Sequence, residues 1–126
     1  MNVFELRARV SEEQIRLLVH RFYRQVRADQ LLAPVFAARI AEPAWPGHLE
    51  KLCDFWSTAL LGTARYRRNP LAPHLELPGL TGAHFDRWLE LFRATLDDVF
   101  PQDIARAIHS RATRMGRHLE SACVRP

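Results

Sequence analysis

The stretch NPLAPHLELP, residues 69–78, decides which class of helical fold this chain can form. Its prolines interrupt any helix that would run through it. Asn69 suits a helix N-cap and both Pro70 and Pro73 suit a first turn, so we expect one or two helical turns that end soon after His74. Because the apolar side chains of this long connection must be covered, the fold is not a regular up-down bundle.

His74 has two possible roles on this evidence. It is a core residue whose ring nitrogens are satisfied locally, or it is a neutral imidazole held to bind a metal. The stretch by itself favours the core residue. Only partners elsewhere in the chain would favour the metal ligand.

Length and composition indicate one globular domain over residues 1–126. A chain of this length buries a core without disulfides or structural zinc, and its 48% hydrophobic share is ordinary for such proteins. The net charge of +4 raises the question of a nucleic-acid partner. The arginines are scattered, apart from the run Arg65, Arg67 and Arg68, so we expect a solvated surface and no nucleic-acid binding.

The cysteines and the N-terminal stretch bear on the compartment. Cys53 and Cys123 match no metal-binding spacing and imply no disulfide framework. The opening residues are charged where a signal peptide needs an apolar core, and no apolar run reaches membrane-spanning length. We expect a cytoplasmic protein without a membrane partner.

The hydrophobic periodicity indicates four longer helices. The first begins with a capping box at Ser11, the second begins near Trp45 and ends at Gly62, the third resumes after Thr81, and the last begins with Pro101. Period-2 alternation and hairpin turn signals are missing from the sequence, so the predicted fold is all-α.

Two polar side chains interrupt the predicted apolar faces. Tyr23 lies on the edge of the first helix's apolar stripe, where a tyrosine is usually structural. His48 leads a row of apolar residues in the second helix, four positions before Leu52. Between these helices, Pro34 is expected to break the apolar segment 30–40 into brief turns.

Four motifs in this order and spacing cover nearly the whole chain. They are FYxxVRxDxxLxPVF at 22–36, WxxHLxKLxxFWSxxLLG at 45–62, NPLxxHxxLP at 69–78 and HFxxWLxLFxxTL at 84–96. With them the chain resembles the group III truncated haemoglobins. It also lacks the paired-glycine turns typical of the other two groups of truncated globins.

The resemblance implies a truncated globin fold, a two-over-two helical sandwich enclosing one haem b (iron protoporphyrin IX). His74 then matches the proximal ligand of the haem iron. Tyr23, Trp88 and His48 match the distal side, where small ligands bind. Phe36 matches the phenylalanine that packs on the porphyrin.

The residues themselves are compatible with such a cofactor, which needs an apolar slot and one axial nitrogen. The side chains available for the slot are Phe36, Leu52, Phe55, Trp56, Leu71, Leu75, Leu77 and Phe92. Arg65, Arg67 and Arg68 precede the proximal stretch, where haem propionates would emerge. Propionate binding and plain solvation both stay open for them.

Three functions remain open on the sequence. The first is tight binding of O2 and other small ligands (NO, CO, cyanide), with His48 acting as a donor or a gate. The second is NO dioxygenase or peroxidase-like chemistry, which requires a separate reductase because the chain has no flavin or nicotinamide domain. The third is a haem-free helical module that binds nucleic acid. We expect a monomer rather than an oligomer.

Overall fold

The computed structural model describes residues 1–69, 77 and 79–124. Over these ranges it contains six α-helices and no strand. The helices are α1 (Val3–Arg9), α2 (Glu12–Ala28), α3 (Ala33–Arg39), α4 (Trp45–Leu61), α5 (Gly82–Val99) and α6 (Gln102–Cys123), with a 3₁₀ turn at Glu42–Ala44. The turns predicted after Asn69 lie outside the described residues.

The predicted ends of the longer helices are confirmed. Ser11 caps α2 through a reciprocal capping box with Gln14. Gly62 ends α4 in the left-handed conformation, with a φ of 70°, which favours glycine because it has no Cβ. Thr81 caps α5. α6 begins at Gln102, one residue later than predicted, with Pro101 as its N-cap.

Two features of the first forty residues differ from prediction. α1 was not expected, and it forms because Asn2 accepts a hydrogen bond from the Glu5 amide while Leu6 is fully buried. Pro34 does not break the segment 30–40. It lies in the first turn of α3. Backbone N–H groups there have no acceptor within the helix, so a proline costs no hydrogen bond.

The four longer helices form two packed pairs. α2 packs against α4, α5 packs against α6, and α2 also contacts α5 across the two pairs. This is the two-over-two arrangement, and it places the aromatic faces of α2, α4 and α5 toward one another. Fully buried side chains at the centre are Phe22, Phe92, Ile15, Leu18, Leu60, Leu96, Ile104 and Ile108.

Asp29 ties the end of α2 to α5. Its side chain is only 7% exposed and accepts hydrogen bonds from Arg87 Nε (2.7 Å) and from the amides of Leu31 (3.1 Å) and Leu32 (3.0 Å). Burial disfavours the Asp29 carboxylate, but these hydrogen bonds outweigh burial and hold its pKa below the ordinary aspartate value. These contacts hold α5 against the end of α2 at Arg87, the residue before Trp88.

Replacing Asp29 with Asn should lower the free energy of unfolding by about 1–3 kcal/mol at pH 7, because Arg87 loses a charged acceptor. The native pKa is lowered, so this contribution is present above the unfolded-state value and is lost as pH falls through the native pKa. Urea unfolding at several pH values measures it, and the two proteins should converge at acid pH.

Asp97→Asn is the matched control, since it breaks only an exposed ion pair with Arg93. Its effect should stay within about 0.5 kcal/mol. Equal losses in Asp29→Asn and Asp97→Asn would contradict the account of Asp29.

Candidate functional site

Tyr23 is the centre of an aromatic cluster and is 5% exposed. Its ring lies 5.9 Å from Phe36, 6.2 Å from Trp45 and 6.4 Å from His48, centroid to centroid. Phe22 approaches it edge-on at 4.8 Å. Three helices, α2, α3 and α4, therefore bring predicted site residues around one phenol.

The cluster continues through α5 and back to α4. Phe22 meets Trp88 edge-on at 5.0 Å, and Trp88 stacks on Phe92 at 4.9 Å. Phe92 stacks in turn on Trp56 at 5.0 Å, and Trp56 meets Phe55 at 5.2 Å. Residues from three separated sequence motifs, at 22–36, 45–62 and 84–96, thus form one continuous series of rings.

The Tyr23 hydroxyl is held in its un-ionised form. Burial raises its pKa to about 12, and a hydrogen bond from Trp88 opposes that shift only in part. An indole N–H can only donate, so the Tyr23 oxygen accepts it. None of the described residues accepts the Tyr23 O–H proton, which leaves that proton available to a ligand.

His48 is half-buried, and its ring meets Trp45 edge-on at 5.4 Å. Burial lowers the pKa of His48, and the neighbouring Lys51 charge lowers it further. The ring is therefore neutral near pH 7 and carries one N–H donor and one acceptor nitrogen.

Several predicted slot residues are only half-buried although they pack against the core. They are Phe36, Leu52 and Phe55, and the predicted distal residue Trp88 is half-buried in the same way. The predicted slot residue Leu77 is also half-buried. Apolar side chains left partly open beside the Tyr23 and His48 donors fit a flat apolar cofactor with a polar ligand, so the residues present are suited to haem. His74, Leu71 and Leu75 lie outside the described residues.

The arginine run is exposed. Arg65 lies 3.5 Å from the Glu12 carboxylate, so it faces the start of α2 in this structure. Arg68 is exposed, and the propionate role stays a prediction for both arginines. Sequence reasoning gave Trp45 no part in the site, although its spacing of three residues from His48 on one helix was a usable signal.

Other histidines have local partners. His20 Nδ1 lies 2.9 Å from the Arg16 carbonyl, and His109 Nε2 lies 3.3 Å from the Leu89 carbonyl. His84 takes part in the capping box of α5. Within the described ranges, no group of three or more His, Cys, Asp or Glu side chains could hold a metal ion. Nor is any of the described helices long and apolar enough to cross a membrane.

Comparison with known proteins identifies the family. A family model described as bacterial-like globin matches residues 9–121. The group 3 truncated haemoglobin ctb of Campylobacter jejuni is 33% identical over 114 residues, which cover 89% of this chain and 90% of that protein. The crystal structure of the group III truncated haemoglobin from Campylobacter jejuni superposes with a TM-score of 0.87 at 32% identity, covering 92% of this chain and 93% of the other.

These similarities extend over the aromatic cluster and the two helix pairs. They confirm the predicted fold, and membership of the globins implies a haem cofactor and the binding of diatomic gases. The chain belongs to the bacterial-like globin family and, within it, to the group III truncated haemoglobins.

Proposed function

We propose that this chain holds one haem b and binds O2 and other small ligands tightly at a distal pocket formed by Tyr23, Trp88 and His48. The observation that carries the proposal is the buried Tyr23, whose ring lies within 6.4 Å of Phe36, Trp45 and His48, and whose hydroxyl keeps its proton to donate. When bound, haem would supply the iron to which the small ligand binds. The chain supplies everything else.

The proximal side of the pocket rests on His74 as the axial nitrogen, carried over from the family. On the described side, the half-buried faces of Phe36, Leu52 and Phe55 offer an apolar slot, and Trp56 and Phe92 stack behind it. Such a slot excludes water from the ligand. Arg65 and Arg68 remain candidates for the propionates, which leave an apolar slot at its polar edge.

Donors on the distal side favour a polar ligand over an apolar one. A hydrogen bond to a charged or strongly polarised partner contributes roughly 1.5–3 kcal/mol, and each 1.4 kcal/mol is about tenfold in an equilibrium constant. Burial of Tyr23 among aromatic rings strengthens its bond, because the local dielectric is low. The pocket is therefore suited to retention of O2 rather than to its delivery.

His48 adds a second possibility at the same pocket. As a neutral ring it can donate one N–H to the ligand or turn away and admit it. Its half-burial beside Trp45 leaves room for both roles.

Chemistry beyond binding uses the same pocket. NO dioxygenation or peroxide-linked oxidation would need electrons from a separate reductase, and no described feature favours either over simple binding. Against the nucleic-acid module, several arginines already pair with carboxylates, namely Arg9, Arg16, Arg27, Arg87, Arg93 and Arg117. A nucleic-acid surface would leave them unpaired.

His74→Ala should abolish or severely weaken the Soret band of the haem-loaded protein, because the only proposed axial nitrogen is lost. His48→Ala should keep the band, and His118→Ala, at an exposed position, should match wild type. Absorption spectra of the purified variants decide this. A wild-type spectrum in His74→Ala would show that the proximal assignment is wrong.

Tyr23→Phe should raise the O2 dissociation rate about ten- to a hundredfold, because one donor to the ligand disappears. The CO dissociation rate should change far less, since CO is a poor acceptor. Stopped-flow ligand replacement measures both rates. Tyr66→Phe is the control, because Tyr66 packs against Phe55 at 5.3 Å rather than against the distal donors.

Nearly equal changes for O2 and CO in Tyr23→Phe would contradict hydrogen bonding and indicate a loss of packing instead. An O2 dissociation rate changed as much by Tyr66→Phe as by Tyr23→Phe would also contradict hydrogen bonding from Tyr23.

The His48 ring should titrate below the ordinary histidine value of about 6.5. The native pKa of His48 is lowered, so as pH falls the unfolded chain takes up this proton at a higher pH than the folded protein does. His48 therefore lowers the free energy of unfolding as pH falls below the unfolded-state pKa. His48→Gln should remove this part of the acid dependence. NMR titration of the ring, assigned with the variant, measures it, and a pKa at or above 6.5 would argue against a buried neutral ring.

A further inference from the structure

The last turn of α2 reaches the first turn of α4 through one arginine. Arg27 Cζ lies 4.4 Å from the ring centroid of Trp45. Its Nη2 also lies 2.6 and 2.5 Å from the two carboxylate oxygens of Glu42, which belongs to the 3₁₀ turn before α4. The guanidinium therefore binds an aromatic face and a carboxylate at once, as its planar shape permits.

The start of α4 has no side-chain cap of its own. Neither Ala41, before the 3₁₀ turn, nor Ala44, before α4, offers a side-chain capping hydrogen bond. Prolines in the first turns set where the 3₁₀ turn and α4 begin, and the contact from Arg27 adds packing from another helix at that point. Consistently, the hydrogen bond from Arg27 holds the pKa of Glu42 below its ordinary value.

Trp45 transmits that restraint to the distal pocket. Its side chain is only 3% exposed, so its ring has little freedom to move. The His48 ring stands edge-on to Trp45 at 5.4 Å and edge-on to Tyr23 at 6.4 Å. The position of the Trp45 ring therefore limits where the His48 ring can lie beside Tyr23.

We propose that Arg27, held by Glu42 over Trp45, is a positioning residue that keeps the His48 ring against Tyr23 and so limits the rate at which small ligands enter the distal pocket. The inference rests on the proposed function, because it takes His48 to border the ligand pocket. Arg27 acts through Trp45 and His48, without touching the ligand itself.

A second ion pair between the same two helices provides a matched comparison. Arg16 of α2 pairs with Glu50 of α4 at 2.5 Å, and both side chains are exposed. Among the described residues, the cation–π contacts involve Arg27 on Trp45 and Arg7 on Phe4, and Arg16 makes none. Loss of Arg16 therefore tests the ion pair without the aromatic contact.

The test is CO association after flash photolysis of the haem-loaded protein. Arg27→Met keeps the length of the side chain and removes its charge, and it should raise the association rate about fivefold while the Soret band stays unchanged. Glu42→Gln should change the rate in the same direction. Arg27→Lys, which keeps a cation over the ring, should stay within about twofold of wild type.

The double variant gives the sharpest readout. If Arg27 works through His48, then Arg27→Met should add nothing to His48→Ala, because the ring that it positions is gone. If Arg27→Met only loosened the fold, its effect on the CO association rate would instead add to that of His48→Ala. Arg16→Met should leave the rate of the wild-type protein and of His48→Ala unchanged.

Two results would overturn the inference while leaving the proposed function intact. One is a wild-type CO association rate in both Arg27→Met and Glu42→Gln. The other is an equal effect of Arg27→Met with and without His48. A wild-type protein that takes up neither haem nor CO would overturn the proposed function and the inference together.

Discussion

The packing of buried Tyr23 among rings of α2, α3 and α4 is the constraint on which the proposed distal pocket depends. Phe22 and Trp88 extend this packing from α2 to α5, which belong to different helix pairs, and Trp88 opposes part of the rise in the Tyr23 pKa. Tyr23 itself is only 5% exposed, so the local dielectric around its hydroxyl is low. The rest of the fold holds Tyr23 of α2 and Trp88 of α5 in fixed positions relative to each other.

Two contacts hold the residues on either side of Tyr23 in place. Asp29 binds Arg87, next to Trp88 in the chain, and fixes α5 against the end of α2. On the other side Arg27 covers Trp45, the neighbour of His48. Both restraints start from the last residues of α2. The end of that helix therefore contacts the residues next to Tyr23 on both sides, Arg87 beside Trp88 and Trp45 beside His48.

Much of this could be predicted from the sequence, because it depends on local chemistry. The serine cap of α2 and the glycine stop at Gly62 follow from residue type, and the long helices follow from hydrophobic spacing. Pairings between distant residues could not be predicted in the same way. Nothing in the sequence around Arg27 distinguishes its contact with Trp45 from the ordinary surface pair that Arg16 makes. Likewise, α1 is too short and has too few apolar residues to show the hydrophobic periodicity of a helix.

The central claim, that Tyr23 is an un-ionised donor inside the protein, is tested most directly by carbon-13 NMR of the tyrosine ζ carbons. The chain has two tyrosines, and Tyr23→Phe assigns the resonance. With a pKa of about 12, the Tyr23 signal should keep its phenol position at pH 11, one unit above the ordinary value of about 10. A signal that moves to the phenolate position by pH 10 would contradict the account.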